Sequence, residues 1–153
     1  MAERMILKLG DSALRKKARP VEKFDARLGE LIDDMIETMK KADGIGLAAP
    51  QIGVLRRVVV IGIEDDLYEF VNPQIIKTRG TVEATEGCLS IPGTRGYVPR
   101  PEKVWVRAQD RHGDEFEIKA EGLFAIACSH ELDHLDGVLF IEKMTAEVEE
   151  DDD

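Results

Sequence analysis

"LFAIACSHELDHL", Leu123 to Leu135, decides how the rest of the chain is read. The stretch predicts a helix, with Gly137 close to its C-terminal end. Its segment "HELDH" places His130 and His134 one helical turn apart, so both imidazoles share a face and can hold one metal ion. Glu131 lies beside them. A carboxylate there can accept a proton from an activated water without being a ligand itself. The alternative is an amphipathic helix that merely exposes polar residues. Against it, the chain has three histidines and two of them fall in this spacing. The third, His112, sits in a polar turn beside Gly113 and is assigned no chemistry.

Two imidazoles do not complete a tetrahedral site, so a third ligand must come from elsewhere. Cys88, in "EGCLS" (Glu86 to Ser90), is the best candidate. Gly87 lets the backbone turn tightly, and Leu89 offers a backbone N–H beside the metal. Cys128 is the rival thiol. It precedes His130 by two positions, a rotation of about 200° on a helix, which points it away from the ligand face and into the core.

Further upstream, Asp25 can cap a helix in which Leu28, Leu31, Ile32, Met35, Ile36 and Met39 recur at helical steps. Lys40 and Lys41 suit its C-terminal dipole, and Gly44 stops it. The next passage, "GIGLAAPQIG" (Gly44 to Gly53), follows neither helical nor strand periodicity, yet it carries a polar Gln51. Arg57–Ile63 reads as a buried strand and Tyr68–Pro73 as a short one. "KVWVRAQD" and "EFEIKA" form a hairpin from Val104 to Ala120. The fold class expected is α+β, with antiparallel sheets packed around a central metal-binding helix and an N-terminal helix.

Composition agrees with one domain. The chain has 153 residues, 43% hydrophobic and 34% charged, enough for a single core. Residues 1–146 read as one catalytic domain and Glu147–Asp153 as a solvated, disordered acidic tail. The net charge of −10 argues against nucleic-acid binding through general electrostatics. Apolar runs such as Val58–Ile63 are too short to cross a bilayer, and "MAERMILKLG" lacks the apolar segment of a signal peptide, so a cytoplasmic location is expected. In a reducing compartment, Cys88 and Cys128 are expected as free thiols or a metal ligand, not a disulfide.

"GIGLAAPQ", "EGCLS" and "HELDH", in this order and at these intervals, resemble the three signature motifs of peptide deformylases, and the resemblance covers nearly the whole chain. It extends to Asn72 in "NP", to "SIPG" and to "VPR" ending at Arg100. The resemblance implies a hydrolase that removes the N-formyl group from the initiating methionine of new polypeptides and releases formate. It implies Cys88, His130 and His134 as ligands, and Glu131 as the proton shuttle. Gln51 and the Leu89 N–H become the oxyanion donors. Matching positions imply that the substrate peptide lies against Gly46 as an added strand, with Gly87 beside it. The methionine pocket would be built from Ile45, Ile91, Tyr97, Leu123, Ile126 and Ala127. Asp133 is expected to anchor Arg100 behind the site. Fe²⁺ is the expected metal in the cell, with Zn²⁺ or Ni²⁺ also able to occupy a site of this softness. Nascent-chain substrates imply transient proximity to the ribosome, and no membrane partner is expected.

The chain departs from the resemblance at Ser129, where most members have Gln, and in its short acidic C-terminus. Two other classes compete. A general metalloprotease would add His or Glu downstream of His134, where only the tail's carboxylates lie at any distance. A non-catalytic zinc module would need a fourth Cys or His to close its site.

Overall fold

In the computed structural model, which describes residues 2–149, Asp25 caps α1 (Ala26–Lys41) by accepting the Leu28 N–H at 3.1 Å. The apolar stripe expected of this helix is buried along its length. At its other end the Gly44 N–H donates to the Met39 carbonyl, which closes the helix at the expected glycine.

The passage from Gly44 does not remain a loop. Gly46–Ala48 form a short strand, β1, and Ala49–Ile52 a 3₁₀ turn. β1 pairs antiparallel with β2 (Val58–Ile63), one residue shorter than expected. Three residues are too few for any periodicity to register, so the pairing was invisible in the sequence. β2 is apolar throughout because both of its faces are covered. Val58 and Val60 pack under α1, and Val59 and Ile61 face the opposite core.

The short strand expected at Tyr68–Pro73 is longer. β3 runs from Asp66 to Arg79, with Asn72 at φ 51° and two register irregularities in its pairing with the next sheet strand. A second difference is larger: β4 (Val82–Cys88) and β5 (Ile91–Arg100) form an antiparallel pair where only motifs were read. Pro92, Gly93, Gly96 and Pro99 break the apolar alternation that would have announced β5. The expected hairpin is present as β6 (Lys103–Gln109) and β7 (Glu115–Glu121), with Val104 opposite Ala120.

α2 (Leu123–Leu135) has the expected bounds. It is buried on most sides, packing against β1, β2, β6 and β7. Cys128 lies inside the core between this helix and the sheet, as its rotation from the histidines required. Gly137, at φ 74°, follows the helix where a Cβ would stand 2.4 Å from the Arg15 carbonyl oxygen. Glu147, read from the sequence as the first residue of the acidic tail, lies in a strand. Ala146–Glu147 form β8, which pairs with β5, because the backbone of Gly96 and Tyr97 still offers an open edge there. Residues 150–153 lie outside the described residues.

The result is a five-stranded sheet in the order β1-β2-β3-β6-β7 and a three-stranded sheet in the order β4-β5-β8, all antiparallel, with α2 between them. This α+β arrangement leaves β1 at the edge of the larger sheet.

Candidate active site

α2 supplies two of the groups that converge between the sheets, and β4 supplies the third. Ligand atoms of Cys88, His130 and His134 lie within 4.8 Å of one another, with Cys88 Sγ 3.4 Å from His134 Nε2. The alternation of β4 places Glu86 and Cys88 on one face. Glu86 is the residue that sequence reasoning missed. Its buried carboxylate accepts both arms of the Arg100 guanidinium, at 2.5 and 2.8 Å, and lies 2.7 Å from His130 Nδ1. Arg100 also donates to Asp133 at 2.7 Å, so the expected pair is present and Arg100 bridges Glu86 and Asp133. Had β4 been read as a strand, a glutamate two positions before the candidate ligand Cys88 would have pointed to this arrangement.

Glu131 is buried on the same turn of α2. Its Oε1 is 4.0 Å from His130 Nε2 and 3.9 Å from His134 Nε2, and it has no hydrogen-bond partner among the described residues. Burial, with the charge of Glu86, pushes its carboxyl up to about 7, although His130 and Arg100 oppose the shift. Burial also raises Glu86, but the hydrogen bonds from Arg100 and His130 outweigh it and bring Glu86 down to about 2. His130 is pushed up to about 10: burial opposes this, and Glu131, Cys88 and Glu86 prevail. His134, by contrast, is driven down to about 3 by burial and by the charges of His130 and Arg100. Two carboxylates, a thiol and two imidazoles thus share one buried pocket with Arg100. Cys128 is pushed up to about 12 by burial, then by Glu131, and stays an inert thiol.

The orientation of Gln51 follows from its neighbours. The Ala48 N–H donates to Gln51 Oε1 at 2.9 Å, so the amide oxygen must lie on that side and Nε2 must face the ligands. Nε2 donates to Ser90 Oγ at 3.1 Å and stands 3.4 Å from Cys88 Sγ. Ser90, buried, is a second residue given no role in the sequence reading.

The two glycines that open the apolar passage have specific neighbours. A Cβ on Gly46 would lie 2.6 Å from Glu131 Oε2, and one on Gly44 would lie 2.7 Å from Leu89 Cδ1. Both close approaches serve the site itself.

A cleft of about 360 Å³ opens over these groups. Ile45, Gly46, Gln51, Gly87, Cys88, Leu89, Leu123, Ile126, Ala127, His130 and Glu131 line it, as expected, and so do Glu86 and Arg95. Two positions differ. Ile91 is buried in a separate core with Leu14, Val98 and Phe140. Tyr97 stands opposite Thr85 on the β4–β5 pair; Thr85 lines the cleft and Tyr97 does not. A larger depression of about 470 Å³ adjoins the cleft, bordered by Asp43, Glu64, Asp65 and Asp66, but none of the three ligands lines it.

The donors suit a divalent transition ion. One thiolate and two imidazoles would give an ion a mixed soft and intermediate donor set, and the unpartnered Glu131 oxygen lies within 4.0 Å of both imidazole Nε2 atoms. A family model for polypeptide deformylases matches residues 3–150. The chain belongs to the polypeptide deformylase family. It is 55% identical to a peptide deformylase of Caldicellulosiruptor bescii over 99% of this chain and 92% of the relative. Peptide deformylase 1 of Clostridium acetobutylicum is 54% identical, over 94% of this chain and 96% of its own length. The solved peptide deformylase of Thermotoga maritima superposes with a TM-score of 0.93 at 40% identity, covering 95% of this chain and 99% of that one. A second solved relative, from Synechococcus elongatus in complex with actinonin, gives 0.91 at 41% identity over 94% and 80%. The chain is accordingly a metal-dependent hydrolase that removes the N-formyl group from nascent peptides. Among the described residues, no helix is long and apolar enough to cross a membrane.

Proposed function

We propose that Cys88, His130 and His134 hold the ion, that Glu131 moves the proton, and that Gln51 and the Leu89 N–H receive the developing oxyanion. The observation that carries this reading is the buried Glu131 Oε1, within 4.0 Å of both Nε2 atoms and without a hydrogen bond of its own. When bound, the ion supplies Lewis-acid polarisation and makes a nucleophilic water available near neutral pH.

The chain's own groups do the rest. The free edge of β1 receives the substrate backbone at Gly46 as an added strand. Ile45, Leu123, Ile126 and Ala127 line the apolar side of the cleft where the methionine side chain lies, with the His130 ring as one wall. As the formyl carbon becomes tetrahedral, its oxygen gains charge, and the Gln51 amide, already turned toward the site, donates to it together with the Leu89 N–H. Glu131 takes a proton from the attacking water and delivers it to the departing amine, a poor leaving group without it.

Fe²⁺ is the working ion in this reading, a choice that rests on the family resemblance, since one thiolate and two imidazoles suit Zn²⁺ and Ni²⁺ as well. The remaining assignments are a cytoplasmic location, a single catalytic domain and transient proximity to the ribosome while nascent chains are processed. A direct test measures formate release from formyl-Met-Ala by the metal-loaded chain against cleavage of casein. Casein cleavage without formate release would overturn the proposal.

A further inference from the structure

The segment Leu7–Leu9 touches both loops that carry the oxyanion donors. The Leu7 N–H donates to the Gln51 carbonyl at 2.7 Å, and the Leu9 N–H donates to the Ser90 carbonyl at 2.8 Å. Between them, Lys8 Nζ donates to the Leu89 carbonyl at 3.2 Å. Gln51 Nε2 in turn donates to Ser90 Oγ. The bonds close a ring from the segment to Gln51, from Gln51 to Ser90, and from Ser90 back to the segment.

This ring spans a gap that no strand ladder crosses. Gln51 follows β1 of the five-stranded sheet, whereas Leu89 and Ser90 form the turn between β4 and β5 of the other sheet. The segment is also tied at its far end. The Ala2 N–H donates to Asp34 Oδ1 at 2.7 Å, the Arg4 N–H donates to Thr38 Oγ1 at 2.9 Å, and Arg4 pairs with Asp34 at 2.8 Å. One short run of chain therefore links α1 to both donor loops. Oxyanion donors work only when held at the right separation, and a misplacement of about 1 Å can cost about 10²-fold in rate.

We infer that Leu7–Leu9 is a positioning strap that fixes the Gln51 amide relative to the Leu89 N–H. The inference rests on the reading of those two groups as oxyanion donors. The strap touches no substrate. Its effect is confined to the geometry of the donors, so it acts on the chemical step and leaves ground-state binding and metal loading alone.

The test uses full-length, metal-loaded protein and formyl-Met-Ala. Leu7→Pro and Leu9→Pro each delete one strap N–H, and Met5→Pro, at an exposed residue outside the strap, controls for the proline. Each strap variant should lose roughly tenfold in kcat, the scale of one hydrogen bond, with KM and metal content unchanged. In a Gln51→Leu background Leu7→Pro should cause little further loss, because the donor it positions is gone. A metal-loaded strap variant with unchanged kcat, or an equal loss in the Gln51→Leu background, would overturn the inference. Where proline prevents folding, Lys8→Ala decides by the same two criteria, with Lys8→Arg restoring kcat. Gln51→Leu alone keeps the two readings apart: full kcat in that variant overturns the oxyanion assignment itself.

Discussion

The Glu86 carboxylate lies 2.7 Å from His130 Nδ1, which leaves Nε2 as the ring nitrogen that faces Glu131 and the ligand cluster. The same carboxylate is held by Arg100, and Arg100 by Asp133, so the orientation of one imidazole is fixed through three buried or half-buried charges. Glu86→Gln keeps an acceptor for the ring and should weaken metal binding by about 10- to 100-fold, the usual scale for such a supporting contact. Glu86→Ala should also destabilise the fold by about 3–5 kcal/mol, because it leaves the Arg100 charge buried without its main partner. Metal competition against a chelator and urea unfolding measure the two effects. Unchanged metal affinity in both variants would contradict this role for Glu86.

Glu131→Ala should retain the metal and lose deformylation by at least ~10²-fold, as expected when a general base is removed. Metal analysis beside the formate assay separates the two. Loss of metal would make Glu131 a ligand and refute its assignment as a shuttle.

Gly46→Ala should be nearly as harmful as a change to Glu131 itself. Its Cβ would stand 2.6 Å from Glu131 Oε2 and 2.7 Å from Cγ, so the carboxylate must move. A shift of that size costs about 10²-fold when it displaces a reacting group. Gly53→Ala is the useful contrast: its φ of 82° strains the backbone, while the nearest neighbour to a Cβ is Leu7 Cδ1 at 3.7 Å. It should lower stability more than kcat.

Protein made and kept anaerobically with Fe²⁺ should be the most active form. In air it should lose activity and gain oxygen mass on the peptide containing Cys88, as the thiolate is carried up the sulfenic ladder. The Ni²⁺ form should keep its activity. Oxygen added mainly at Cys128 would argue against Cys88 as the third ligand, since Cys128 is buried and its thiol is held protonated.

Asp34 gives the fold a defined acid limit. Burial raises its carboxyl, but the Ala2 N–H and the Arg4 guanidinium outweigh that and hold it below the ordinary carboxylate range. A group whose folded pKa is lowered contributes stability that is present above its unfolded value and lost as the pH falls through the folded one. The gap in urea midpoint between the parent and Asp34→Asn should therefore be full at about pH 6 and shrink below about pH 4. A gap constant across that range would show that Asp34 acts through packing alone.

Much of this site was legible because its chemistry sits in local patterns. His130 and His134 needed only the helical period, and Cys128 was excluded by the same rotation. Gln51 stood out as a polar residue ending an apolar run. What escaped notice depended on pairing across the chain. Glu86 is separated from His130 by 44 residues, and its role appears only once β4 is known to be a strand, which the prolines and glycines of β5 conceal. The strap was equally hidden, since two of its three contacts are made by backbone N–H groups that no side-chain pattern reports.

β2 is the wall shared by two cores, with Val58 and Val60 on one side and Val59 and Ile61 on the other. Lifting either α1 or α2 away exposes the same strand, so the amides of Val58–Ile61 are expected among the slowest to exchange with solvent. An ion that binds only the folded state lowers the population of such open forms, so it guards a strand that contributes no ligand to it.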